Sequence, residues 1–245
     1  MDNALYVGLS RQMLLRRELD ITANNIANMD TTGFKVESLM AKTEPRAPAV
    51  TAQGPRPVKF VMAHGVARDF TQGSLRQTGG SFDLAIEGKG FFKISTADGE
   101  RYTRDGRFML DDRGRIVTQQ GDALLDEGGG EIVVDPQKGL MTIAADGAMS
   151  QGAERVGKVG AVSFDELSVL EKVGDNLLKN NSNLQPQAAT DAKVRQGMLE
   201  ASNVKPVIEM NRLIEISRAY ESITRMMENE AELSRRSVER MGRIQ

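Results

Sequence analysis

From Asn203 to Gln245 apolar and polar positions alternate at helical spacing. Met210, Leu213, Ser217, Tyr220, Thr224, Met227, Ala231, Ser234, Val238 and Met241 fall three and four residues apart. Such a stripe marks an amphipathic helix. Val207, Ile214, Ile216, Ile223 and Met226 widen it on both flanks. Pro206 falls in the first turn, where a missing N–H costs nothing, and Asn203 or Ser202 can cap the start. Glu221, Glu232 and Glu239 each stand four residues before an Arg, the favourable order for exposed ion pairs. At about 1.5 Å per residue this helix would be roughly 55 Å long.

A second stripe lies near the other end: Leu5, Leu9, Gln12, Leu15, Leu19, Ala23 and Ile26, with Val7, Met13, Leu14 and Ile21 beside it. It predicts a helix from about Asn3 to Asn28, stopped at Thr31-Thr32-Gly33, where Gly33 suits the left-handed conformation after a helix end. Pairing the two helices buries one side of each. The flanking Leu, Ile and Met residues would stay wet in a monomer, so the pattern asks for neighbours beyond the chain's own two helices. The alternative is that both pack across one ordinary core.

Between the helices the pattern changes twice. From Lys35 to about Gly80 there is neither helical period nor strong alternation, and Pro45, Pro48, Pro55 and Pro57 favour extended chain. This stretch reads either as a solvated linker or as an arm laid along a neighbouring subunit, anchored by Phe60, Val61, Met62 and Phe70. From Ser81 to about Phe164 the signals are strands and turns. Phe82, Leu84 and Ile86 alternate with Asp83, Ala85 and Glu87, and turn dipeptides recur at Asp98-Gly99, Asp105-Gly106, Arg113-Gly114, Asp146-Gly147 and Gln151-Gly152. A hairpin is expected around Asp111-Asp112-Arg113-Gly114, with further strands at Ile132–Val134 and Val159–Phe164. A turn of helix and a strand are expected near Leu167–Leu170, and Asn180 to Pro186 reads as a loop.

The expected fold is α+β: a discontinuous α-helical coiled coil formed by both termini, with an inserted all-β domain. Its segments are the N-terminal helix (1–34), an extended Pro-containing arm (35–80), the β domain (81–185), a connector (186–202) and the C-terminal helix (203–245).

Composition then narrows the function. The 245 residues carry 32 basic and 34 acidic side chains, so no basic face recommends nucleic acid. Cysteine is absent, which removes disulfides, thiolate catalysis and sulfur metal sites, and the single His64 removes His clusters. Arg11, Arg16, Arg17, Glu18 and Asp20 break every apolar run near the start, so no cleaved secretory signal and no membrane span are expected. Gly88-Lys89-Gly90 lacks the spacing and ending of a phosphate loop and reads as a turn. Asp111, Asp112 and Gly114 lack the alternating ligands of a calcium loop. Carboxylates are plentiful, yet no catalytic pair stands out. The expectation is a protein that is not an enzyme and takes no cofactor or metal.

Three stretches carry a family resemblance. Leu19-Asp20-Ile21-Thr22-Ala23-Asn24-Asn25-Ile26-Ala27-Asn28 with Thr31-Thr32-Gly33-Phe34-Lys35 resembles the N-terminal signature of bacterial flagellar axial proteins, the rod and hook group. Leu199-Glu200-Ala201-Ser202-Asn203-Val204, continuing through Arg218-Ala219-Tyr220-Glu221, resembles their C-terminal signature. Phe82 to Phe92 and Tyr102-Thr103-Arg104-Asp105-Gly106 look like the β-domain motifs of that branch. The opening Ala4 to Ser10 with Gln12-Met13 looks most like the proximal-rod members, with the distal-rod members second.

The resemblance implies a structural subunit of the flagellar basal-body rod, exported unfolded through the flagellar type III apparatus. It would assemble helically with copies of itself, other proximal-rod proteins and the distal-rod protein into the periplasm-spanning shaft that transmits torque. It implies neither nucleic-acid binding nor membrane insertion. The assembly interface is expected at Leu5, Leu9, Leu15, Leu19, Asn24, Asn25, Ile26, Asn28, Val207, Met210, Leu213, Ile214, Tyr220, Ile223, Met227 and Val238. Asn24, Asn25 and Asn28 are assigned to packing and hydrogen bonds between neighbouring helices, since Asn is a poor helix former whose amide must be paired. A helix-docking binding module and a hydrolase on the β domain are the competing readings.

Overall fold

The computed structural model describes residues 2–43, 61–182 and 184–242, with backbone alone for 2–4, 42–43, 61–64, 234, 237–238 and 241–242. The chain divides into two units: Met1–Ala27, Glu37–Asp69 and Val204–Gln245 form the first, Asn28–Val36 and Phe70–Asn203 the second.

The first unit is built on two long helices, α1 (Asp2–Ala27) and α2 (Pro206–Gly242), and an antiparallel hairpin of strands Glu37–Thr43 and Val61–Arg68. The helices run antiparallel: Gly8 lies against Met227, Gln12 donates to Thr224 Oγ1 (3.0 Å), Arg212 meets Glu18 (2.9 Å) and Asn25 meets Glu209 (3.1 Å). The seam of α1 runs through Gly8, Leu15, Thr22 and Asn25, with Leu14 beside it; on α2, Glu209 and Ile216 are buried. The apolar stripe drawn through Leu9 and Ala23 is therefore turned outward there. A glycine at position 8 lets a methionine lie close, and Thr22 and Asn25 enter the seam as polar residues. Letter-by-letter hydrophobicity misses both reasons.

Pro206 is the first residue of α2, and the N–H groups of Ile208 and Glu209 turn back to the Lys205 carbonyl. Lys205 thus holds the cap position expected for Asn203 or Ser202. Asn203 instead accepts a hydrogen bond from the Val36 N–H through Oδ1 (2.8 Å).

The second unit is antiparallel sheet. Its largest sheet has nine strands, in the path Leu170–Gly174, Leu177–Asn180, Gly99–Thr103, Phe91–Thr96, Ala123–Leu124, Ile116–Val117, Met109–Leu110, with Ala161–Ser163 also pairing Phe91–Thr96 and carrying Gln187–Ala188. Successive side chains of a strand point to opposite faces. Phe92 therefore joins a core with Ile94, Phe108, Ile116, Leu124 and Met149, while Phe91 joins Tyr102, Phe164, Leu170 and Leu178. Both faces of this strand are covered, which is why Phe91 and Phe92 stand side by side.

The stretch 186–202, expected as a connector, carries three strands. Gln187–Ala188 pairs Ala161–Ser163, Lys193–Gln196 pairs Leu84–Glu87, and Met198–Glu200 pairs Leu75–Gln77. Its polar letters mislead because Gln187, Lys193 and Arg195 stay exposed within strands, while Glu200 is a charged residue that the strand buries. Likewise the expected arm, 35–80, contains the Glu37–Thr43/Val61–Arg68 hairpin and the strand Leu75–Gln77. The anchors Phe60, Val61 and Met62 lie, as side chains, outside the described residues, as does His64. Ile132 to Val134, expected as a strand, makes an isolated bridge from Val133 to Arg115 with Ile132 and Val134 buried.

Candidate assembly site

On α1, Tyr6, Leu9 and Met13 remain exposed on the face opposite the seam. On α2, Val207, Met210 and Ile214 form one exposed stripe at three- and four-residue spacing, and Ile208, Met226 and Leu233 fall on the other side of the seam. Val207 and Met13 are 67% and 66% exposed. Scattered apolar side chains on a surface are ordinary; here they repeat at helical spacing on both helices.

The expected interface residues divide three ways. Leu15 and Asn25 are buried within the chain; Leu5, Leu19, Ile26, Asn28, Leu213, Tyr220, Ile223 and Met227 are half-buried; Leu9, Asn24, Val207, Met210 and Ile214 are exposed. The Val238 side chain lies outside the described residues. Asn25 gives its amide to its own chain: Nδ2 donates to the Glu37 carbonyl (2.8 Å) and to Glu209 Oε2 (3.1 Å), and Oδ1 accepts from the Glu37 N–H (3.0 Å). Asn28 Oδ1 accepts from the Thr31 hydroxyl in the turn that ends α1 (3.1 Å).

The second unit holds a cluster that no pattern in the sequence announced. Glu200 is fully buried and lies between Lys35 and Arg104, with Lys35 Nζ 2.6 Å from Oε1 and Arg104 Nη1 2.9 Å from Oε2. The Gly73 N–H donates to Oε1 (2.9 Å); a Cβ on Gly73 would fall 2.0 Å from the Ala201 carbonyl oxygen, so only glycine allows that approach. Lys35 also donates to the Thr71 carbonyl (2.7 Å), and Arg104 to those of Ile86 (3.1 Å) and Gly88 (2.6 Å). Burial draws the Arg104 guanidinium below its ordinary value, opposed by the charge of Glu200 and their hydrogen bond. Lys35, Arg104 and Glu200 each come from one of the three signature stretches quoted above, and those stretches meet here. What the sequence lacked was any sign that residues so far apart would touch.

The comparisons with known proteins agree with these features. Residues 5–35 match the family described as "Flagella basal body rod protein", residues 85–151 the "Flagellar hook protein FlgE/F/G D1 domain", and residues 195–240 the "Flagellar basal body rod FlgEFG protein C-terminal". The flagellar basal-body rod protein FlgF of Caulobacter vibrioides is 63% identical over 244 residues, covering 100% of both chains.

The chain belongs to the flagellar basal-body rod protein family.

Within that family its relatives are graded. FlgF of Mesorhizobium japonicum is 35% identical with 99% of each chain covered, and the rod protein FlgG of Bacillus subtilis is 30% identical over 94% of this chain and 96% of its own. A rod-family chain is a structural subunit of the basal body. Among the described residues no helix is long and apolar enough to cross a membrane.

Proposed function

We propose that this rod-family chain is a proximal-rod subunit. In this reading its terminal helices enter a coiled coil with copies of itself and with other proximal- and distal-rod proteins, forming a periplasm-spanning shaft around the export channel. Stiffness under torque is then its activity, and it does no chemistry. One observation carries the reading: with α1 and α2 already packed on each other, Tyr6, Leu9, Met13, Val207, Met210 and Ile214 are still exposed. Covering a large apolar side chain contributes about 1.5–3 kcal/mol, so repeated stripes favour a polymer over a lone chain. The 63% identity to FlgF of Caulobacter vibrioides, against 33% to FlgG of the same organism, supports the proximal position. The absence of cysteine leaves no disulfide to hinder passage of an unfolded chain through the type III export apparatus.

The experiment replaces Leu9 and Ile214 with Asp together. Both are exposed, so the isolated variant is expected to fold normally by circular dichroism, while rods fail to incorporate it and cells lose swimming. Basal bodies that contain the double variant at the normal level would overturn the reading.

A further inference from the structure

Residues 31–36 belong to no strand, yet Thr32 to Lys35 are all buried. Their bonds reach groups presented by the rest of the second unit. The Gly33 N–H donates to the Glu200 carbonyl (2.8 Å), Asn176 Nδ2 donates to the Thr32 carbonyl (3.1 Å), and the Asn203 N–H donates to the Phe34 carbonyl (3.4 Å). Lys172 Nζ sits 4.6 Å from the centre of the Phe34 ring. Gly33, at φ 71°, presses so closely on the Arg104–Asp105 peptide that a Cβ would fall 2.6 Å away. This is a segment laid onto a surface, held by side chains and single backbone bonds in place of a ladder.

The charges beneath it suggest why the segment can leave. Without Lys35, Glu200 would still hold Arg104 through Oε2 and the Gly73 N–H through Oε1, a neutral pair with both oxygens served. Docking Lys35 adds a second cation to a site that is already balanced, and its ammonium must give up water to enter. We infer that residues 31–36 form a strap that opens and closes on an otherwise intact β unit, with the Lys35–Glu200 contact as its lock. Opening needs no strand to separate. It frees Gly33 and Val36 N–H groups to water and leaves behind an ion pair in which each Glu200 carboxylate oxygen keeps a donor. The strap would work in a lone chain, whatever its helices assemble with.

Hydrogen exchange of the full-length protein, read residue by residue, tests this. In the unaltered chain the Gly33 and Val36 amides are expected to exchange at least about tenfold faster than those of strands Phe91–Thr96 and Gly99–Thr103, as a locally opening element does. Lys35→Met, which keeps length and loses the charged bonds, is expected to speed the strap amides by a further factor of about ten and leave the strand amides unchanged. If strap and strands exchange at one common rate, or if Lys35→Met accelerates both together, the segment is part of the sheet's own cooperative unit and the inference falls. If Lys35→Met changes neither, Lys35 is not the lock and it falls as well. Should that variant fail to fold, the unaltered chain alone still decides between separate and common exchange.

Discussion

The two units solve the same problem by different means. In the β unit two closed cores dominate: Phe92, Ile94 and Leu124 are wholly buried, even a carboxylate, Glu200, is sealed in with two cations, and the exposed apolar side chains, such as Leu140 and Val133, are scattered. In the helical unit one seam is closed and other faces are left open, with Met13 and Val207 exposed over about two thirds of their surface. A self-sufficient unit and an unfinished one thus coexist in a single polypeptide. Substitutions inside the first are expected to read out as stability, and those on the open faces of the second as assembly.

The largest effect is expected where a charge is sealed in. Glu200→Gln leaves Lys35 and Arg104 facing each other without their carboxylate. Removing one partner of a buried ionic cluster typically costs about 3–5 kcal/mol. Chemical denaturation of the β unit, followed in the full chain, should show a loss of that order. Arg104→Met should cost less, because the Lys35–Glu200 pair persists. If Glu200→Gln proves milder than Arg104→Met, the charge account of the cluster is wrong.

The next effect lies in the closed seam of the helical unit. Asn25→Ala removes the partner of the half-buried Glu37 N–H and carbonyl and a donor from the buried Glu209. Leaving buried polar groups unpaired costs about 1–3 kcal/mol. The helical circular-dichroism transition should move down accordingly, with the β-unit transition unmoved. Asn25→Asp should be worse than Ala at neutral pH, since it sets a second carboxylate against Glu209. An Asp variant as stable as Ala would show that the seam is wetter than the geometry implies.

How much of this could be read from the letters follows from where the information sits. The two helices were legible because a period of three and four residues is written locally, and the turns at Asp111-Gly114 and Gly33 because glycine and aspartate carry their own conformational signals. The sheet's extent was less so. Lys193–Gln196 carries exposed charges and Met198–Glu200 ends in a buried one, and only their pairing with Leu84–Glu87 and Leu75–Gln77 identifies them. The charge cluster was not legible at all. Lys35, Arg104 and Glu200 are each an unremarkable charged letter, and nothing in their spacing tells that a fold will bring them within hydrogen-bonding distance. The seam is half legible: Leu15 stands out by hydrophobicity and Asn25 as an amide that must be paired, but nothing marks Gly8 and Thr22, whose burial depends on what they touch.

The smallest effect on stability is the most telling one. Met13→Gln and Val207→Gln, made together, alter side chains already in water, and exposed substitutions of this kind usually shift stability by no more than about 0.5 kcal/mol. Thermal unfolding of the isolated double variant should overlay that of the unaltered protein. In a polymer the same two positions would each forgo about 1.5–3 kcal/mol of apolar burial, repeated at every subunit, so incorporation into rods should fall steeply when the variant competes with the unaltered chain. A variant that destabilises the lone molecule would mean these faces are already packed within the chain. One that competes equally would mean they are simply surface. Only the combination of an unchanged monomer and a failed assembly keeps the contrast between the finished and the unfinished unit.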